Sequence, residues 1–158
     1  MMNAAQKYLQ HHPDCEIRTR RTVNADQKTA WKAWADPAHL QNWWGPNGFT
    51  NSFHEHNLKP GGRWRFTMHG PEAGNYENDC VFVDIIEEEL LVWDRNSQPL
   101  FRVVVLFEPV SDLQTHIQFL MVFATAEECS KLKKYVVDKN EENFDRLEAE
   151  LAKMQSGV

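Results

Sequence analysis

Between residues 50 and 123 the chain passes through six strand-length segments in succession, with only short turns between them. They fall at 50–58, 62–69, 76–87, 90–95, 100–108 and 113–123. Turn residues punctuate them at Pro60-Gly61-Gly62, Gly70-Pro71, Gly74-Asn75, Asn96 to Pro99 and Pro109 to Asp112. Connections this short join antiparallel neighbours, because a parallel crossover needs roughly a dozen residues or more. Alternation gives the strands apolar faces: Trp64, Phe66 and Met68 on one, Phe101, Val103, Val105 and Phe107 on another, Ile117, Phe119, Met121 and Phe123 on a third. Such a sheet must be covered. The cover is the C-terminal segment, where Phe144, Leu147, Leu151 and Met154 recur at three- and four-residue steps, the stripe of an amphipathic helix. The fold class is α+β.

The remaining segments fit around this frame. Residues 1–13 read as a polar extension holding at most one weak helix, closed by Pro13. Residues 15–23 alternate as a strand. Asn24 with Gln27 reads as a capping box that opens a helix carrying Trp31 and Trp34. Asp36-Pro37 ends it and starts a second short helix that reaches Trp43-Trp44. Near the end, Thr125 with Glu128 and Asp138 with Glu141 read as two further boxes, so a short helix followed by a long one is expected. One domain over 14–158 accounts for the chain, which at 158 residues buries roughly two thirds of its unfolded surface.

Charge and composition narrow the function. The net charge is −6, and the one dense basic cluster, Arg18, Arg20 and Arg21, lies along a strand, which argues against a nucleic-acid partner. No apolar run approaches the roughly 18 residues of a membrane span. Cys15, Cys80 and Cys129 are odd in number, far apart and in no C-x-x-C pair. Free thiols in a reducing compartment follow. The opening MMNAAQKYLQHHPD lacks the charged-then-apolar order of a secretory signal. A cytoplasmic location is expected.

The stretch NWWGPNGF, residues 42–49, sets two of the largest apolar side chains directly before a Gly-Pro turn. Such rings fill a core, pack in an interface or line a pocket, and the turn sets this pair at a lip; the aromatic stripes of the strands read as plain core or as pocket wall. The apolar wall of such a pocket would draw on Trp44, Trp64, Phe66, Met68 and Trp93, with Phe119, Met121 and Phe144 from the last strand and helix. Its polar candidates are His54 and His56. Period-two geometry sets them on one face with Leu58, roughly 7 Å apart. They stand as solvent-face residues, as polar contacts inside the cavity, or as a metal pair completed by His69. A zinc site needs three or four ligands, so no metal and no cofactor are expected.

No catalytic set is visible. There is no G-x-S-x-G, none of the cysteines has an adjacent histidine, Glu87-Glu88-Glu89 reads as a strand end, and Gly61-Gly62 leads into a strand rather than a helix. Binding of a small apolar or aromatic ligand without catalysis is the main expectation.

Two blocks carry a family resemblance: W-x-A-W-x-D-P-x-x-L-x-x-W-W-G-P from Trp31 to Pro46, and P-G-G-x-W from Pro60 to Trp64. With LLVW, THIQFLMVFAT and NFDRLEAEL downstream, the chain over about residues 15–153 resembles the START-like (SRPBCC) superfamily. The nearest branch is the C-terminal domain of the activator of heat-shock protein 90 ATPase. The resemblance implies a helix-grip: a curved antiparallel sheet wrapped on a long C-terminal helix, with a cavity between. In it Trp43-Trp44-Gly45-Pro46 ends the short helices at the cavity mouth, one ring inward and Trp44 at the lip. Departures are Asp26, Asn57, Lys59 and Glu87 to Leu91, where the family carries Pro, Asp, Arg and Pro-Pro-Glu-Arg-Leu. Lys139-Asn140 also stand where a Gly is usual before the last helix. Two alternatives to plain binding stay open. One is an enzyme of cyclase, dehydratase or hydrolase type, which needs two of His54, His56, Tyr76 and Arg102 to converge in the cavity. The other is a chaperone-associated stress-response role, although the family's chaperone-stimulating members carry an additional N-terminal domain. A homodimer through an edge strand is permitted by this architecture.

Overall fold

The computed structural model describes residues 3–156. Seven strands form one antiparallel, curved sheet: β1 (Glu16–Val23), β2 (Thr50–His56), β3 (Arg63–His69), β4 (Asn75–Ile86), β5 (Leu90–Arg95), β6 (Arg102–Ser111) and β7 (Gln114–Val122), in the order β1-β7-β6-β5-β4-β3-β2. Every hairpin is local, and only the β1–β2 connection crosses from one edge to the other. Two short helices make that crossing, α2 (Gln27–Ala35) and α3 (Pro37–Trp43). The C-terminal helix α4 (Ala126–Gln155) lies in the concave face, burying Phe144, Leu147 and Leu151. This is the α+β helix-grip architecture.

Local chemistry sets the helix ends, with two departures from the sequence reading. The N-cap of α2 is Asp26, whose carboxylate accepts from Thr29 N at 3.0 Å; Asn24 does not cap. Asn24 is already engaged, its side chain accepting from Gln114 Nε2 at 3.0 Å and its carbonyl from Gln155 Nε2 at 2.8 Å. The Thr29 hydrogen bonds hold the Asp26 carboxyl below its usual range. Asp36 caps α3 with Pro37 at its first position, where a missing N–H costs nothing. The second departure is α4, which runs unbroken through Asp138 and Glu141 rather than dividing there. Its 30 residues contain neither Gly nor Pro, so nothing interrupts the i→i−4 ladder.

The strands correct two further expectations. β6 continues past Pro109 to Ser111 through an irregularity, so the turn sits at Asp112-Leu113. In β2 the register shifts between Phe53 and Glu55, and this bulge decides the fate of the histidine pair described below. The Pro60-Gly61-Gly62 turn is bound to β4: Gly61 N donates to Phe82 O at 2.8 Å and Phe82 N donates to Gly62 O at 2.9 Å. A Cβ at Gly62 would lie 2.0 Å from the Asn57 carbonyl oxygen, so only glycine fits.

β5 and β6 are apolar on both faces, and the outer face carries its own cluster of Leu90, Val92, Val104, Leu106 and Leu120. Its cover comes from the N-terminus. The single-turn helix α1 (Ala4–Lys7), capped by an Asn3/Gln6 box, packs Ala4, Ala5, Tyr8 and Leu9 on this patch. Tyr8 Oη donates to Asp84 Oδ2 at 2.8 Å, and the Arg102 guanidinium stacks 5.8 Å from the Tyr8 ring centroid. The segment read as a polar extension is a strap over a second small core. Replacing Tyr8 and Leu9 together by Ala uncovers that core. About 1–2 kcal/mol of apolar burial is lost, and the thermal midpoint falls by roughly 2–8 °C; an unchanged melting curve refutes the strap.

Candidate functional site

The site starts at the end of α3. Trp43 turns inward, fully buried, its Nε1 donating to Ala33 O at 3.0 Å. Trp44 is the C-cap and stays half-buried. Its ring centroid lies 5.4 Å from Trp64, 5.7 Å from Trp93 and 6.1 Å from Phe119. Gly45 follows at φ 102°, and a Cβ there would meet Met68 Cε at 2.7 Å. The lip is then tied to α4. Asn143 Oδ1 accepts from Gly45 N at 3.0 Å. The Arg146 guanidinium donates to five carbonyl oxygens of this loop: Gly45 at 2.8 Å, Phe49 at 2.9 Å, Pro46 at 3.0 Å, Asn42 at 3.2 Å and Trp44 at 3.3 Å. Burial pulls the Arg146 pKa down.

Behind this lip lies a cavity of about 200 Å³ between the sheet and α4. Six of the ten residues singled out from the sequence line it: Trp44, Phe66, Met68, Trp93, Phe119 and Met121. The other four sit elsewhere. Trp64 is fully buried beneath, stacked on Phe66 at 4.3 Å. Phe144 is fully buried core against Trp34 and Phe119. His54 and His56 do not share a face, because the bulge rotates one relative to the other. His54 is exposed on the outer side, with Nε2 2.8 Å from Thr67 Oγ1. His56 turns inward among the rings of Phe53, Trp64 and Phe82, at centroid distances of 6.1, 6.0 and 5.6 Å. Its Nε2 is buried without a partner among the described residues, and desolvation holds its pKa below the usual imidazole value.

The residues proposed for a reaction do not converge. Arg102 pairs with Asp94 at 2.7 Å and stacks on Tyr8, Tyr76 is 55% exposed against Phe49, and none of His54, His56, Tyr76 and Arg102 lines the cavity. His69 is engaged on the surface by Ser52 and Asn75. Among the described residues no three His, Cys, Asp or Glu side chains gather into a metal-holding group.

The cavity's polar lining was missed from the sequence. β4 contributes Asn78 and Cys80, β5 contributes Arg95, and α4 contributes Lys139, Asn140 and Asn143. The signals exist in retrospect: Arg95 is two residues beyond Trp93 on one strand face, and Val136, Lys139, Asn140 and Asn143 follow the helical 3–4 spacing straight into Phe144. Assigning a break near Asp138 hid that stripe. Burial pushes the Cys80 thiol up to about 12, so it stands in the wall as an inert thiol.

With this geometry in place, comparison with known proteins gives the relationship. Residues 24–152 match the family model described as Activator of Hsp90 ATPase homolog 1-like protein. The chain belongs to this family. No curated protein matches it. Solved structures give the fold of this Activator of Hsp90 ATPase homolog 1-like chain wide company. A protein from Nitrosomonas europaea is 19% identical with a TM-score of 0.84, covering 92% of this chain and 99% of that one. One from Arthrobacter aurescens is 22% identical with a TM-score of 0.82, covering 89% and 87%. The AHSA1 protein from Silicibacter pomeroyi is 17% identical with a TM-score of 0.72, covering 89% and 99%.

Two outcomes follow for this Activator of Hsp90 ATPase homolog 1-like domain. Asn143→Ala leaves the buried Gly45 N–H unpaired and costs about 1–3 kcal/mol. Amide exchange across residues 44–50 then accelerates, and unchanged exchange overturns the tie. His56 supplies a pH dependence. The unfolded chain takes up its proton near pH 6.5, whereas the fold resists protonation, so stability falls as pH drops through that range. Between pH 7.5 and 5.5 the thermal midpoint of wild type drops further than that of His56→Gln; equal drops refute the assignment.

Proposed function

We propose that the protein binds a small apolar or aromatic molecule in the cavity behind Trp44 and performs no chemistry on it. The observation that carries this reading is the cavity itself: about 200 Å³ walled by Phe66, Met68, Trp93, Val103, Phe119 and Met121. An apolar cavity of roughly 150 Å³ accommodates benzene, so one ring with a short arm is the size class. Aromatic walls with a few placed polar groups are the usual make-up of a ligand site. The family supports the reading at the level of fold only, because one fold hosts many jobs. The free thiols Cys15, Cys80 and Cys129 fit action in a reducing, cytoplasmic setting, and among the described residues no helix is long and apolar enough to cross a membrane.

Native mass spectrometry of freshly purified protein, repeated after denaturation, tests the reading. The expected result is a small-molecule mass lost on unfolding, whose composition names the chemical class. In parallel, a soluble ligand at a hundred times its dissociation constant adds about 2.7 kcal/mol and raises the thermal midpoint by roughly 5–11 °C. An apo mass together with a panel of apolar and aromatic compounds that leaves the midpoint unmoved overturns it.

A further inference from the structure

Among the described residues the cavity is lined by cationic side chains and by no carboxylate. In a protein of net charge −6, its lining includes Arg95 and Lys139 but no Asp or Glu. Arg95 projects from the end of β5 on the face of Trp93, half-buried. Its guanidinium meets only neutral oxygens: Nη1 donates to Asn78 Oδ1 and Nη2 to Gln98 O at 3.1 Å. The ring of Phe101, centred 5.7 Å away, covers it. Among the described residues Nε is buried with no partner, and desolvation draws the Arg95 pKa down against a smaller upward pull from Cys80, no carboxylate contributing.

The contrast with the other arginines is direct. Arg18, Arg21, Arg63, Arg65 and Arg102 each pair with a carboxylate, Arg146 satisfies itself on five carbonyls of the lip, and Arg20 is exposed to water, which leaves Arg95 as the buried-side exception among the described residues. Lys139, exposed at the mouth, forms no ion pair among the described residues, and Asn140 donates only to the Met121 sulfur at 3.5 Å, a weak acceptor. A half-buried cation without a counter-charge is costly unless something supplies one. The polar cleft beside α2 shows what a self-satisfied site looks like here: its buried Glu150 is held by His39 at 2.8 Å and Asn42 at 3.3 Å.

Resting on the binding reading above, we propose that the cavity's ligand is a small apolar or aromatic monocarboxylate, its ring or chain against the aromatic wall and its carboxylate paired with Arg95. A planar guanidinium fork matches a carboxylate, and Lys139 adds a second positive charge at the entrance. One guanidinium and one rim ammonium suit a monoanion; a phosphate dianion would call for more donors. The ligand would replace a neutral acceptor of Arg95 by a charged one inside a low-dielectric wall, where the exchange is most favourable.

The test measures dissociation constants at pH 7 and low salt for hydrocinnamate, phenylacetate and hexanoate, each against its own neutral amide, on wild type, Arg95→Met and Arg95→Lys. Wild type is expected to bind at least one acid about tenfold tighter than its amide, the increment of a charge-assisted hydrogen bond over a neutral one. Arg95→Met brings that ratio to near one, and Arg95→Lys keeps part of it. An acid-to-amide ratio near one in wild type overturns the carboxylate assignment while the apolar-binding reading stands. Failure of every acid to bind overturns the carboxylate assignment, and failure of the amides as well, together with the apo mass and unmoved panel above, overturns both. A ratio that survives in Arg95→Met overturns the role of Arg95. Should Arg95→Met not fold, the wild-type ratio together with Arg95→Lys decides: a preference undiminished in Arg95→Lys overturns the role of Arg95, and a preference that is reduced in Arg95→Lys and fades with added salt upholds it.

Discussion

A sheet of seven strands curved around a single helix presents more inner surface than that helix can cover. The rest of the structure depends on how the shortfall is met. At one end α2 and α3 fill it with indoles: Trp34 packs against Trp43 at 4.7 Å, Phe107 at 6.0 Å and Phe144 at 6.1 Å. At the other end α4 carries Lys139, Asn140 and Asn143 where packing would ask for Leu or Phe, and the space stays open. The helical stripe therefore changes character along its length, apolar over Phe144 to Leu151 where it seals the core and polar one turn earlier where it roofs a cavity. Interiors elsewhere in proteins are close-packed, which makes an unfilled space walled by aromatic rings a feature to be explained by function.

The lip is held in place by electrostatics of an unusual sort for an arginine. Arg146 directs its donors to backbone carbonyls of residues 42–49, two of which also accept from within or beside the loop, Pro46 O from Phe49 N and Trp44 O from Asn51 Nδ2. Asn143 completes the tie from the same helix. One helix thus both roofs the cavity and positions its mouth. A displacement of α4 would move lip and roof together, whereas Arg95 on β5 belongs to the sheet. The polar ends of the cavity come from two different structural bodies.

The second core on the outer face has a similar logic. Strands buried on both sides read as continuous apolar runs rather than alternation, and LLVW on β5 with VVVLF on β6 are such runs. Their outer residues require a cover, and Ala4 to Leu9 supply it with little secondary structure of their own. A short strap with one capped turn is enough because the area to be covered is small and the Tyr8–Asp84 hydrogen bond fixes its end.

Much of this was legible in the chain. Order, strand count, antiparallel pairing and the closing amphipathic helix follow from periodicity and turn chemistry, which act over a few residues. The Gly-Pro turn marked residues 43–44 as a lip, while the division into an inward Trp43 and a lip Trp44 came from the family resemblance. What escaped depended on contacts between segments far apart in sequence. Asn24 looked like a cap until Gln114 and Gln155 claimed it; His54 and His56 looked like a pair until a bulge against β3 turned them apart; Asp138 looked like a helix start although nothing before it ended the helix. The sequence by itself determined the α+β frame and the aromatic stock of the cavity, since local propensity and apolar alternation set both. Only the tertiary structure decided that Arg95 would stand in that cavity with no acid beside it, because a charge's partners are chosen by which strands and helices fold around it.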